Sequence, residues 1–275
     1  MSKIKVDVDS IIENRLGNLK KLHEQFPENA NPFLEAISIE VSRHSSLTRS
    51  LTSRLGGSLA GIARDLAEYT YGTDLVPSHV VCEGLDFDPE DQTAHRVDTL
   101  VYTYFDEATL VTEAQRLIKF AKKDPSQQIG TGKFQTEYVK SMNILKAANK
   151  IEPWSLQVDL FVNEPGIGFC ELESGGNLDT SNVTAQPLKL VKAGLASGSE
   201  DLGLHFCLAY ANRGENKPVQ SALTGFFRLS GNSETGDGLY IGREWWEIVL
   251  PEGFTYDQFM QSYKEIVDKL DIVGS

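Results

Sequence analysis

Three acidic residues stand where their spacing permits chemistry: Asp159 in LQVDLFV, and Glu171 and Glu173 in IGFCELES. Glu171 and Glu173 are one residue apart, so a strand places both on one face. Like charges so placed repel. Either solvent screens them or a cation lies between them. Convergent carboxylates suit Mg²⁺, which takes one or two of them and fills its shell with water and phosphate oxygens. An ion held this way polarises a phosphoryl oxygen and lowers the pKa of its bound water. The competing reading is an ordinary wet strand face.

The elements that must position these acids are legible around them. Leu156–Val162 and Ile167–Ser174 read as two strands joined by the turn residues 163–166. Folding that hairpin brings Asp159 opposite residue 170 or 171. The backbone carbonyl of Leu172, pointing the other way, is a further possible metal ligand. Gly175 and Gly176 follow and permit close backbone approach. Asp179 to Asn182 then supply N-cap candidates for a helix over Val183–Ala196, with Pro187 in or near its first turn. A helix N-terminus favours anions, so Asn182, Lys189 and Lys192 are candidate phosphate contacts. Gly203–Tyr210 is apolar enough for a third strand buried on both faces.

Elsewhere the apolar spacing predicts helices over Ile11–Phe26, Phe33–Arg43, Ser45–Tyr71, Ala108–Lys123, Lys133–Lys150 and Tyr256–Leu270. Thr99–Phe105 is rich in β-formers, and a short helix is expected near Val219–Phe227. With no repeat, low-complexity tract or linker, the reading is a single α/β domain over 1–275. Its parts would be a helical region to about 75, a core over about 95–215 and a helical region over about 216–275.

The net charge is −13, which alone argues against a polyanionic partner. The charge is segregated, however. Ser42–Arg64 carries Arg43, Arg49, Arg54 and Arg64 with no acid. Ala114–Lys150 carries eight basic residues, Lys133 among them, against Asp124 and Glu137. The two stretches are expected to line one cleft suited to phosphates; solvated helix faces are the alternative. The start MSKIKVDVDS lacks the apolar core of a signal peptide, and no run is long enough to span a bilayer. A cytoplasmic protein without a membrane role is the expectation. Cys82, Cys170 and Cys207 form neither a disulfide framework nor a zinc spacing and read as buried thiols.

Other features carry less. Ile129–Lys133 (IGTGK) fails as a phosphate-binding P-loop, because Gln127 and Phe134 stand where Gly and Ser/Thr are needed. His95 and Asp98 have no partnered nucleophile. Trp245 and Trp246 suit core or interface better than base stacking.

The order D-x11-E-L-E on a hairpin, then helix, then buried strand, resembles the PD-(D/E)XK nuclease core. ELESGGNLDTSNVTA looks like a segment of type II restriction endonucleases of the TdeIII kind, ELK-x-GG-x-LD-x-x-x-x-A. SLTRSLTSRLGGSLAGIARDLA is similar to the Ser-rich helix that precedes their core, and LYIGREWWEI to their C-terminal LIG-x-x-FW block. The resemblance implies a mixed central sheet flanked by helices. It implies a Mg²⁺-dependent enzyme, acting as a homodimer, that cuts double-stranded DNA at a short specific site. Asp159 and Glu171 would bind metal. Glu173, standing where relatives carry Lys, would bind metal or orient the attacking water. A second departure is the missing helix glutamate, since Ala60 and Gly61 fill the corresponding positions. The rivals are a nicking or repair nuclease of the same core and a non-catalytic DNA- or partner-binding protein.

Overall fold

A computed structural model describes residues 3–23, 39–89, 98–164, 166–173, 182–200, 203–208 and 222–270. The chain divides into two compact units, Met1–Thr70 with Val249–Ser275, and Tyr71–Ile248. The C-terminal helix therefore joins the N-terminal ones instead of extending the core.

In the first unit, α1 (Lys3–His23), α2 (Ile39–Tyr71) and α7 (Tyr256–Leu270) are helical. Polar contacts tie the two chain ends. Lys5 Nζ donates to Ser262 Oγ at 3.1 Å, and Lys269 Nζ to Glu13 at 2.8 Å. Val8, Ile12 and Leu16 on α1, Leu66 on α2 and Ile266 on α7 are buried. The sequence predicted a break between two helices near 43–45, but α2 runs through it unbroken. The helix expected from Phe33 lies in part outside the described residues. Gly61 does not end α2. A Cβ there would lie 3.0 Å from Arg15 Cδ, and the Arg15 side chain passes this point to reach Asp65 Oδ2 at 2.6 Å.

The second unit is mixed α/β. Strands β1 (His79–Val81), β2 (Thr99–Phe105) and β3 (Lys150–Val158) form a sheet in that order. Strands β4 (Leu160–Val162), β5 (Gly168–Glu173), β6 (Leu204–Leu208) and β7 (Gly238–Ile241) form another. β4 and β5 are antiparallel, while β5, β6 and β7 run parallel. Helices α3 (Glu107–Lys123), α4 (Gly132–Ala147), α5 (Asn182–Ser197) and α6 (Arg243–Val249) complete the unit.

Local chemistry accounts for these elements. Asp106 caps α3 by accepting from Thr109 N, and Leu110, Ala114, Leu117, Ile118 and Ala121 bury one stripe. Thr131 Oγ1 caps α4 by accepting from Phe134 N. The TLVYTYF and LHFCL strands are almost wholly buried, as their composition predicts. Phe161 and Phe169 pack across β4 and β5 with ring centroids 4.7 Å apart, a contact worth about 0.5–1.5 kcal/mol beyond burial. All three cysteines are buried free thiols, and Trp245 and Trp246 are buried. The short helix expected near 219–227 is a 3-10 turn over Ala222–Gly225. Pro187 is the sixth residue of α5, just past its first turn. Among the described residues no helix is long and apolar enough to cross a membrane.

Candidate active site

The predicted strand Leu156–Val162 is broken at one residue, Asp159. β3 before it pairs with β2, and β4 after it pairs with β5. In the β4–β5 register Leu160 faces Cys170, so the next step along would place Asp159 opposite Glu171. Side chains take over the ladder there. Asp159 N–H donates to Glu171 Oε1 at 3.1 Å, and Leu172 N–H donates to Asp159 Oδ2 at 2.8 Å. Each acid is thus held by backbone across the hairpin, which leaves both carboxylates little freedom.

α5 supplies the cation that the opening spacing demanded. Gln186 and Lys189 are three residues apart and share a helix face. Glu173 and Glu171, two apart, share a strand face. The faces meet residue on residue: Gln186 Nε2 donates to Glu173 Oε1 at 2.7 Å, and Lys189 Nζ lies 2.7 Å from Glu171 Oε1. Lys189 also donates to Asp159 Oδ1 at 3.1 Å. Gly194 permits this seating, because a Cβ there would lie 2.7 Å from Leu204 Cδ2 and 2.9 Å from the Tyr138 hydroxyl.

The cluster is short of positive charge. Glu171 is only 2% exposed. Burial pushes its carboxyl up to about 8, the Asp159 charge adds to this, and Lys189 pulls back only part. Burial acts to lower the Lys189 pKa, but Glu171 and Asp159 more than reverse it and hold the ammonium protonated. Asp159 Oδ1 and Glu171 Oε1 converge on one point, now held by Nζ. Two convergent carboxylates beside open solvent fit the Mg²⁺ donor set, with water and phosphate completing it. Among the described residues no three His, Cys, Asp or Glu side chains form a ready-made metal cage. Glu173 is held by Gln186 instead, and Leu172 enters the cluster through its N–H.

The side chains of Arg43, Arg49, Arg54 and Asn182 lie outside the described residues. Arg64 is buried and donates to Glu68 at 2.9 Å, so it does not face a partner. Arg116 is absorbed by Glu113, Glu137 and Ser141. Lys133 sits in the first turn of α4 and donates to Ser126 Oγ, outside the cluster. That helix N-terminus is filled by the Glu234 carboxylate, which accepts from Gly132 N–H at 2.9 Å. Sequence reasoning named Lys189 as a phosphate contact and did not see it between the acids. Its spacing from Gln186 was visible; its height over β5 was not.

No protein-family model, curated protein or solved structure matches this chain.

Proposed function

We propose that the chain is a Mg²⁺-dependent nuclease that hydrolyses phosphodiester bonds of double-stranded DNA, built on a restriction-endonuclease-like PD-(D/E)XK core. The observation that carries this reading is Lys189, which bridges Asp159 and Glu171 from the neighbouring helix. It brings the positive charge that a carboxylate at position 173 cannot supply. Asp159, Glu171 and Lys189 then make the two-acid, one-lysine set such chemistry uses. The finer reading is a site-specific type II restriction enzyme acting as a homodimer, since two-fold DNA sites call for two-fold proteins.

Asp159 and Glu171, with the Leu172 carbonyl as a further ligand, would hold the Mg²⁺. When bound it supplies Lewis acidity and a more acidic water. Lys189 Nζ orients the attacking water and offsets charge on the phosphoryl oxygens. The water oxygen bonds to phosphorus, the ester bond to the leaving oxygen breaks, and that oxygen gains a proton. Glu173, fixed by Gln186, stands next on the same face to take a water proton or a metal-bound water.

Plasmid cleavage with Mg²⁺ by the wild type and by Glu171→Gln tests the reading. Site-specific double-strand cuts abolished by the substitution support it. Nicks alone would move the reading to a nicking enzyme. DNA binding without cleavage would move it to a non-catalytic protein on this core.

A further inference from the structure

Beside the cluster lies a groove of about 300 Å³ between β3 and α5, lined by Leu156, Gln157, Ala185, Leu188, Lys189 and Lys192. Its position follows from helix geometry. Ala185, Leu188 and Lys192 flank Lys189 at helical spacing, beside Leu156 and Gln157 of β3. Leu156, Ala185 and Leu188 give it an apolar floor, and two ammonium groups edge it. Lys189 is committed to Asp159 and Glu171. Lys192 makes no hydrogen bond or ion pair with the described residues. A half-exposed lysine left over, next to apolar surface and one turn from the bridging lysine, suits an anion joined to an apolar body.

We infer that this groove is the subsite for the nucleoside that flanks the scissile phosphate, with Lys192 holding the next phosphate of the same strand. The inference rests on the nuclease reading and adds the placement of the substrate. Lys189 and Lys192 are three apart, about 5–6 Å between Cβ atoms, close enough for their long side chains to reach consecutive phosphates. The volume is at the small end of ligand pockets. A space of that size takes one nucleoside.

Calorimetric titration of the full chain in Ca²⁺ separates this inference from the nuclease reading. The probes are thymidine 5′-monophosphate and inorganic phosphate. The monophosphate is expected to bind about tenfold tighter, because only it fills the apolar floor. Leu188→Trp, which occupies the groove, should erase that preference, and Lys192→Gln should weaken both probes several-fold. Equal affinity for the two probes overturns the inference. So does wild-type discrimination by Leu188→Trp, or unchanged affinity for both probes in Lys192→Gln. Cleavage is scored separately, on single-stranded and duplex oligonucleotides of one sequence. Cleavage with no monophosphate preference removes the subsite and leaves the nuclease. A groove-dependent preference without cleavage keeps the subsite and removes the nuclease.

Discussion

Lys189 Nζ lies 2.7 Å from Glu171 Oε1, so a helix residue neutralises a strand carboxylate that is 2% exposed. Without that contact burial and Asp159 would hold Glu171 protonated still further up the pH range, so its ionised form would be an uncompensated buried charge. Breaking a buried pair costs more than the pair itself contributes, because an uncompensated charge remains. The side chain of Lys189 is 35% exposed, which tempers the cost through solvent screening.

Lys189→Met should therefore reduce DNA cleavage by at least about 100-fold, the low end of what removing one positioned donor to the developing charge costs. It should also change how DNA is bound less than how it is cut. Initial rates and a gel-shift in Ca²⁺, at matched protein concentration, check both. Wild-type rates would remove Lys189 from the chemistry.

Glu171 should make metal-free stability pH-dependent. Its folded pKa of about 8 lies above the ordinary range, so the native state holds the proton more tightly than the unfolded chain. Its contribution is full below the ordinary carboxylate range and is lost as pH rises through about 8. The melting temperature should thus fall as pH rises from about 5 to about 8, beyond the trend of Glu171→Gln. Parallel melting curves for the two proteins would expose the error if this group is silent.

Adding Mg²⁺ or Ca²⁺ near pH 8 should raise the melting temperature of the wild type. Ligand at about 100 times its dissociation constant stabilises by roughly 2.7 kcal/mol. Asp159→Asn should lose most of that shift, since Asp159 Oδ1 is one of the two converging oxygens. A shift of the same size in the variant would place the metal elsewhere.

Glu173→Gln should slow cleavage and leave specific DNA binding intact or tighter, because it removes a negative charge near the phosphates. Its hydrogen bond from Gln186 can survive the change. Glu173→Lys should be inactive: Lys189 already provides the ammonium, and a second one would displace cations from the cluster. Full activity in Glu173→Gln would confine the chemistry to Asp159, Glu171 and Lys189.

The sequence by itself determined the elements whose stability is local. The β-rich TLVYTYF run became β2, and the 3.6-residue stripe of Tyr256–Leu270 became α7. Hairpin turn chemistry and period-two alternation also put Asp159 and Glu171 across from one another, as their backbone-to-side-chain bonds show. The break at Asp159 was not legible, because apolar residues at 156, 158, 160 and 162 continue straight past it. It arises when Asp159 N–H leaves the ladder for Glu171 Oε1, a choice made by the opposite strand. The break expected at 43–45 is absent because α2 runs through it, and the glycine at 61 is accommodated by the Arg15 side chain of another helix. Only the tertiary structure decided what lies between the acids. Helical period alone says that Gln186 and Lys189 share a face. The height of α5, set by contacts such as Gly194 on Leu204, decides that they meet Glu173 and Glu171. A charge pair between strand and helix depends on distances that no local pattern encodes.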